Sequence, residues 1–405
     1  MLEPSYLQRI ADGSEQIASE LHEYIIRQII DRIMLRIGRG EEYLLTSSDA
    51  WRVRTLQDAG YLLEDIKAEL SKYTGRQEKE IKAAMEESGI KALEYDDKIY
   101  RAAGLSPIPL TQSPTLIRLM QRNYEATLGE WKNFTRTTAE AAQRLYINES
   151  DLAYNNVLTG ATSYSQAVKE AVESISANGV YVNYPSGHRD TIETATARSV
   201  RTGVAQTTGD ISIKRMEEMD WDIILVSAHI GARTGDGGQN PGNHLWWQGQ
   251  FYSRTGRDKR FPPFSQTGYG TGEGLCGWNC RHSFGSGDGE NNPYKDIQTE
   301  ENVRIEKLEQ RQRELERRVR KTKREVIGLQ EAVEKCQDNS AKFELQQQLD
   351  RKSFLLQKQN QAYNSFCKDN GLRTQSERLQ IAKWSREQAA KARGAARRYQ
   401  NARGE

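Results

Sequence analysis

The sequence contains little cysteine and little proline, and each shortage limits the kinds of structure that the chain can form. Four cysteines in 405 residues are too few for a disulfide-held scaffold, and they indicate synthesis in a reducing compartment. Nine prolines leave room for long helices, because proline interrupts a helix interior. Hydrophobic residues make up only 36% of the chain and charged residues 28%. We therefore expect a modest core together with long, solvated helices.

Long hydrophobic runs are also missing. No segment approaches the ~20 uncharged apolar residues of a membrane span, and the richest stretch, 24–37, is broken by Arg27, Asp31, Arg32 and Arg36. The first residues show no basic segment followed by an apolar one, so we expect no secretory signal peptide. The sequence therefore predicts a protein that does not interact with membranes.

Helical spacing of apolar residues dominates residues 1–177. It predicts helices at 5–38, 49–72, 76–88, 90–103, 113–132, 136–146, 149–157 and 163–177. This region has one histidine, His22, and no cysteine, so we expect it to be a helical N-terminal region without catalytic residues. We interpret His22 as structural or solvent-facing.

The pattern changes near residue 178. Short strand-like segments at 179–184 and 221–226 flank a predicted helix at 191–219, and a segment rich in glycine, aromatic residues, histidine and cysteine follows up to residue 292. We interpret 178–292 as a small, loop-rich α+β domain. We expect its core to be built by five aromatic residues: Trp246, Trp247, Phe264, Tyr269 and Trp278.

Polar helices return in the C-terminal region, 293–405, with predicted helices at 297–335, 341–368 and 374–403. The apolar positions of the first two predict an antiparallel hairpin or a partner-dependent coiled coil. That apolar seam comprises Ile305, Leu308, Leu315, Val319, Val326, Leu329, Val333, Phe343, Leu345, Leu349, Leu355 and Leu356. The predicted fold class is thus mainly α with a small α+β central domain.

Charge is unevenly distributed. Residues 301–405 carry 25 Lys and Arg against 15 Asp and Glu, a net charge of +10, whereas the other 300 residues carry 33 and 41, a net charge of −8. Such a basic region can face nucleic acid or an acidic partner. The alternative is a solvated helix with surplus arginine.

Five potential metal ligands fall within 54 residues: His229, His244, Cys276, Cys280 and His282. Zinc prefers cysteine and histidine in a tetrahedral arrangement, and Gly277 would let the chain turn back between the cysteines. We expect Cys276, Cys280 and His282 to form one cluster, with His229 favoured over His244 as the fourth ligand. The alternative is that the cysteines are small buried hydrophobic residues and the histidines bond to the backbone.

The same region also contains residue types that an enzyme could use. The histidines and the carboxylates of Asp236, Glu273 and Asp288 can supply acid–base groups, and Arg233 and Arg281 can bind a phosphate. No nucleophile elbow, Walker loop or HExxH pattern is present. We interpret the alternating glycines of 268–274 as a turn-rich loop, and we expect the two arginines to bind loop carbonyls or a carboxylate.

Three segments carry a family resemblance. They read Val226-Ser-Ala-His-Ile-Gly-Ala-Arg233, His244-Leu-Trp-Trp-Gln-Gly-Gln-Phe-Tyr-Ser253 and Thr267-Gly-Tyr-Gly-Thr-Gly-Glu-Gly-Leu-Cys-Gly-Trp-Asn-Cys-Arg-His-Ser-Phe284. In this order they resemble the phage minor capsid protein 2 family of tailed-phage and prophage head proteins. The motif residues we single out are Ser227, Arg233, Gln248, Gly249, Gly268, Gly270, Trp278 and Arg281.

The resemblance implies a protein of the virion head, made in the cytoplasm of the bacterial host and associated with the portal and the capsid interior. Its implied partners are the portal protein, the major capsid protein and, through the basic C-terminal region, packaged double-stranded DNA. The implied roles are head assembly and DNA packaging or delivery, and the family implies no established enzymatic activity. The glycine-rich segment Thr234–Asn243 is longer than this family leads us to expect.

A more distant likeness concerns the Mu F-type head morphogenesis proteins, which end their domain in a His-Pro-Asn-Cys-Arg-Cys element. Here Trp278-Asn-Cys-Arg-His282 occupies that place, so that histidine stands where that family has cysteine; both residues bind Zn²⁺. Two other functions stay open: a nuclease or toxin-like effector carried in the virion, and a coiled-coil scaffold that binds no metal.

Overall fold

The computed structural model describes residues 1–45, 47–179, 181–184, 186–295, 297 and 299–404. Its longest elements are helices, which confirms the mainly α fold class. The α-helices are α1 (Pro4–Arg9), α2 (Asp12–Ile37), α3 (Glu41–Leu44), α4 (Ser48–Ala102), α5 (Pro114–Leu158), α6 (Tyr164–Asn178), α7 (Ile192–Glu218), α8 (His244–Trp247), α9 (Thr299–Lys335), α10 (Asn339–Asp369) and α11 (Arg386–Arg403).

The strands are few and short. They are β1 (Tyr181–Asn183), β2 (Arg189–Thr191), β3 (Ile223–Val226), β4 (Phe251–Ser253) and β5 (Phe284–Ser286). β1 and β2 form an antiparallel pair, and β3 is the central strand of a second antiparallel sheet with the order β4-β3-β5. In that sheet Ile224 lies opposite Tyr252 on one side and Ser286 on the other.

Two predicted groups of helices are in fact single long helices. The segments predicted at 49–72, 76–88 and 90–103 form α4, and those at 113–132, 136–146 and 149–157 form α5. Glycine inside a helix costs about 1 kcal/mol relative to alanine, which is too little to interrupt a helix with a long buried face. Gly75 and Gly89 therefore lie inside α4, whose buried residues include Ile66 and Ile81.

Other helix ends differ as well. The predicted helix 5–38 has a short break at Ile10 and Ala11, between α1 and α2. The predicted helix 374–403 begins only at Arg386, after a 3₁₀ turn at Ser376–Leu379. Ser385 caps α11 by accepting a hydrogen bond from the backbone N–H of Gln388, a strong start signal that the apolar pattern did not reveal.

The chain divides into two compact units, each built from three separate segments. Unit 1 comprises Met1–Glu15, Thr74–Lys132 and Thr194–Gln310, and unit 2 comprises Gln16–Tyr73, Asn133–Glu193 and Arg311–Glu405. The division of the sequence into consecutive domains at 178 and 293 stays a prediction.

Unit 1 contains the β4-β3-β5 sheet and the loops that join its strands. The central strand is almost entirely buried, with Ile224, Leu225 and Val226 at most 1% exposed. A separate apolar cluster of Leu93, Leu116 and Ile211 lies elsewhere in the same unit. The small core around β3 supports the long loops that carry the candidate site.

Unit 2 is helical apart from the β1–β2 pair. The Lys352 Nζ atom lies 2.9 Å from a carboxylate oxygen of Glu325, and Gln312 donates to the Tyr363 hydroxyl at 3.4 Å. These contacts place α9 and α10 antiparallel, as the hairpin prediction expects. Helix α2 belongs to this unit from Gln16 onward, and its isoleucines at 25, 29 and 33 are fully buried.

Two of the predicted seam residues do not contribute to this packing. Phe343 is 62% exposed and Leu355 is 41% exposed. The buried row of α10 instead follows Leu345, Leu349, Leu356, Tyr363 and Cys367, whose spacings of four and seven residues repeat one helical face. Positions 343 and 355 lie outside that row.

None of the helices in the described part of the chain combines the length and apolar character needed to cross a membrane.

Candidate metal centre

The candidate site lies in the loops of unit 1 between β3 and β5. Ser227, directly after β3, and Ser283, directly before β5, are hydrogen-bonded to each other. The Ser227 backbone N–H donates to the Ser283 carbonyl at 2.9 Å, and the Ser283 N–H donates to the Ser227 hydroxyl at 3.0 Å. Both serines are buried, so the segments that carry the histidines and cysteines begin and end at a fixed place.

His244, Cys280 and His282 form a compact, buried trio. The Cys280 Sγ atom lies 3.6 Å from Nδ1 of His282 and 3.9 Å from Nδ1 of His244. One ligand atom from each residue falls within 4.8 Å of the others. Two ligands of a tetrahedral zinc ion, one sulfur and one nitrogen, are about 3.5 Å apart. The trio can therefore hold a metal ion with little adjustment.

The second nitrogen of each imidazole is fixed by an oxygen. Nε2 of His282 lies 2.8 Å from the side-chain oxygen of Gln248, and Nε2 of His244 lies 2.8 Å from the Glu273 carbonyl. An amide oxygen only accepts hydrogen bonds, so both Nε2 atoms carry the proton. The Nδ1 lone pairs then point to Cys280. Histidines that ligate metals are oriented by this kind of hydrogen bond.

Burial keeps the trio uncharged. Burial, followed by the charge of Arg233, lowers the pKa of His244 to about 3. Burial also lowers the pKa of His282 well below its usual value, with the neighbouring His229 and His244 acting in the same direction. The pKa of the Cys280 thiol is raised by burial. Neutral imidazoles are the ligand form, and a metal ion would displace the thiol proton.

Local backbone signals bring these residues together. Asn243 caps α8 by accepting a hydrogen bond from the Trp246 N–H, which makes His244 the first residue of that short helix. Cys276 and Asn279 both adopt positive φ angles, 59° and 55°, and reverse the chain direction. A Cβ atom at Gly277 would lie 2.4 Å from the Gly272 carbonyl oxygen, so only glycine fits this turn.

Cys276 and His229 lie beside the trio and not within it. The Cys276 Sγ atom is buried and lies 3.8 Å from the His282 carbonyl oxygen. The His229 ring stacks on the His282 ring at 4.5 Å between centroids, and its Nδ1 lies 3.0 Å from the Ile230 carbonyl. The structure thus brings all five predicted ligands into one neighbourhood. It places His244, and not the favoured His229, in the compact group.

The two predicted arginines bind carbonyls and a carboxylate. Arg233 donates to the Trp278 carbonyl at 3.1 Å. Arg281 donates to the Gly231 carbonyl at 3.2 Å and to the Glu309 carboxylate at 3.1 Å. Each arginine therefore connects the loops around the trio.

The remaining motif residues shape the same loops. Gly268 has a φ of +63°, and a Cβ atom there would lie 2.5 Å from Pro241. Gly249 and Gly270 also have positive φ angles, and 268–274 forms consecutive turns and bends, as predicted. No phosphate-binding turn before a helix is formed by these described residues.

The prediction that Trp278 lies in the core is wrong. Trp278 is 59% exposed, because the positive-φ turns on either side of it turn the indole outward against Gly272. Trp247 and Phe264 are buried as predicted, and Trp246 and Tyr269 are half-buried. The Trp247 ring contacts both His244 and His282, at 4.5 and 4.9 Å between centroids.

Sequence reasoning missed a contribution from α9. The Asn302 side chain is fully buried, accepts a hydrogen bond from the Ala232 N–H and donates to the Ala232 carbonyl, both at 2.8 Å. Glu306 accepts a hydrogen bond from the Thr234 hydroxyl at 2.7 Å. These contacts support the loop after His229. In a polar helix, no sequence signal distinguishes this asparagine from its solvated neighbours.

Comparison with known proteins agrees with the motif resemblance. The sequence model of the family described as phage minor capsid protein 2 matches residues 2–355. A structural protein of Lactococcus phage LL-H is 24% identical over 350 residues, which cover 78% of this chain and 90% of that protein. No solved structure matches the chain.

Proposed function

Because the chain belongs to the phage minor capsid protein 2 family, we propose that it is a minor structural component of a tailed-phage or prophage head, associated with the portal and the capsid interior. The observation that carries this proposal is the extent of the match, which includes segments of both compact units. The Lactococcus phage relative, aligned over 90% of its length, is itself described as a structural protein.

The candidate metal centre suits a structural role. Structural zinc sites are closed by protein, whereas catalytic sites keep a solvent-accessible position for substrate or water. Cys280 and His282 are at most 1% exposed and His244 is 2% exposed. We propose that Zn²⁺ is the resident ion and that it holds the loops of unit 1 together.

The basic C-terminal region supports a contact with packaged DNA. Phosphate neutralisation by lysine and arginine supplies most of the sequence-independent affinity for DNA. The net charge of +10 over residues 301–405 is complementary to the negative charge of the DNA phosphates. We propose that head assembly is the primary role and that DNA contact serves packaging or delivery.

Portal association can be tested by co-expression. The chain is produced with the portal protein encoded in the same phage genome and, in a second culture, with its major capsid protein. We expect the chain to co-elute with the portal oligomer during size-exclusion chromatography. Elution as a separate species from both cultures would contradict the proposed association. A Cys280→Ser variant tested in parallel shows whether binding requires the metal centre.

A further inference from the structure

Helix α4 has two opposite faces in its N-terminal half, which belongs to unit 2. The buried face consists of Trp51, Thr55, Ala59, Leu62 and Ile66. On the other side of the helix, Val53 is 55% exposed and Leu56 is 48% exposed. A surface helix normally carries polar residues opposite its buried stripe, so two large apolar side chains at that place require an explanation.

The exposed apolar residues belong to a row with a heptad repeat. Spacings of four and three residues alternate along Asp49, Val53, Leu56, Gly60, Leu63 and Lys67. This repeat keeps all members on the side of a helix that packs against a second helix. Gly60 and Leu63 are half-buried, and the other four residues are exposed. The row therefore has a charged residue at each end and apolar residues or glycine between them.

The row is complementary to itself in the antiparallel direction. When Leu56 lies opposite Gly60 of a second, antiparallel copy, the same register places Val53 opposite Leu63 and Asp49 opposite Lys67. Each contact then occurs twice, as the two-fold symmetry of a homodimer requires. Parallel pairing would instead place like charges opposite each other at both ends of the row, which is unfavourable.

We propose that the row of residues 49–67 in α4 is a self-association surface, on which two copies of this chain pair their α4 helices antiparallel. Shape supports this occupant, because a large side chain that faces a small one lets two helices interdigitate. A Cβ atom at Gly60 would meet no atom within 4 Å outside its own helical turn. The chain itself therefore does not require glycine there, whereas Leu56 of a second copy does.

Charge supports the same register. Asp49 forms no ion pair with any other described residue. The Lys67 ammonium lies 3.1 Å from a carboxylate oxygen of Glu64, and both side chains are more than half exposed. Such a surface pair contributes little to stability, and an ammonium group has three donors. Lys67 can therefore bind Asp49 of a second copy while it keeps its contact with Glu64.

Sedimentation equilibrium of the full-length protein measures the dimer affinity. Gly60→Leu fills the space that Leu56 of the second copy would occupy. Gly75→Leu is the matched control, because Gly75 also lies in α4, is equally open to an added Cβ atom and falls outside the row. Overpacking of an interface is costly, so we expect Gly60→Leu to weaken the dimer at least about tenfold. The control should stay within about twofold of the wild type, and circular dichroism checks that both variants fold.

Cysteine cross-linking tests the register. Val53→Cys and Leu63→Cys proteins are oxidised separately and as a mixture. A disulfide requires the two Cα atoms to lie within about 7 Å of each other. In the proposed register, position 53 faces position 63 of the second copy, whereas the two copies of position 53 are offset by about 15 Å along the helix. We therefore expect a cross-linked dimer in the mixture and in neither protein alone.

Three results would overturn the proposal. A monomer at every concentration would exclude self-association and favour a different protein as the occupant of this face. Equal dimer affinities of Gly60→Leu and Gly75→Leu would place the dimer contact on another surface. A cross-link in Val53→Cys alone, or none in the mixture, would contradict the antiparallel register.

Discussion

The side-chain oxygen of Gln248 lies 2.8 Å from Nε2 of His282 and accepts the backbone N–H of His229 at 3.1 Å. The backbone donor identifies the Gln248 atom as the amide oxygen, so His282 must donate through Nε2. Its Nδ1 lone pair is then directed to Cys280, 3.6 Å away. A single glutamine thereby determines which nitrogen of the buried histidine is available to a metal ion.

The first prediction concerns metal content. Protein purified without chelators is expected to contain close to one equivalent of zinc, measured by inductively coupled plasma mass spectrometry. Cys280→Ser and His282→Ala should each lose the metal, because each removes one ligand of the His244, Cys280 and His282 trio. Cys276→Ser is the matched control: its thiol is also buried, yet it lies outside the trio. Loss of zinc from Cys276→Ser alone would refute this assignment.

The second prediction concerns Gln248. Replacing it with leucine removes the acceptor of the His282 Nε2 proton while keeping a similar volume. Partners that orient ligands typically contribute 10–100-fold to metal affinity, and we expect a loss in that range in a competition titration with a zinc chelator. Gln248→Glu retains an acceptor oxygen and should bind more tightly than the leucine variant. Equal affinity of the two variants would show that the hydrogen bond does not orient the ligand.

The sequence identified the residue types that could bind a metal at this site, but not which of the individual residues form the compact trio. Cys280 and His282 are close in the chain, so their proximity was predictable from spacing. The selection of His244 over His229 depends on where α8 begins and on the Glu273 carbonyl, which only the tertiary structure supplies. The outward position of Trp278 had the same origin, because two non-glycine residues adopt positive φ angles next to it.

For the helices, too, the sequence predicted some features and not others. Apolar spacing correctly indicated α6, α7, α9 and α10 to within a few residues, because each buries a regular face. The continuity of α4 and α5 was missed, because the free-energy cost of interior glycines and polar positions is small compared with that of disrupting a buried helix.

The third prediction concerns stability at low pH. Burial acts to raise the pKa of Asp222, but hydrogen bonds from Ser253, Thr255 and the Asp258 N–H outweigh it and lower the pKa to about 2. A carboxyl whose folded pKa lies below its unfolded value of 3.8 stabilises the protein above that value. This contribution, about 2 kcal/mol, is lost as the pH falls from about 4 to 2.

Urea denaturation of the wild type and Asp222→Asn over a pH series measures this effect. The variant should be less stable at pH 7, and the difference in free energy of unfolding should shrink as the pH falls through the range from 4 to 2. A difference that stays constant over that range would contradict the assigned hydrogen bonds.

The fourth prediction concerns a buried charge cluster in unit 2. Arg324 pairs with Glu23 at 3.0 Å and with Glu193, and Glu193 also lies 3.0 Å from Nδ1 of His22. The carboxylates are 4% and 6% exposed. Arg324→Leu leaves both without their cation, and breaking such a buried pair costs about 3–5 kcal/mol.

A surface ion pair of the same unit provides the control. Arg27 is half exposed and pairs with Glu331 at 3.3 Å, so Arg27→Leu should cost at most about 1 kcal/mol. Both values come from chemical denaturation at pH 7. Comparable losses in the two variants would mean that the buried cluster contributes no more than a solvated pair.

If the protein is a minor structural component of the virion head, as we propose, it must be present in finished particles. Quantitative mass spectrometry of DNase-treated, gradient-purified particles measures its presence there. We expect the chain to co-sediment with full particles at a fixed ratio to the portal protein and far below the major capsid protein. Its absence from purified particles, combined with abundance in the lysate, would contradict the account and indicate an assembly factor or a free enzyme.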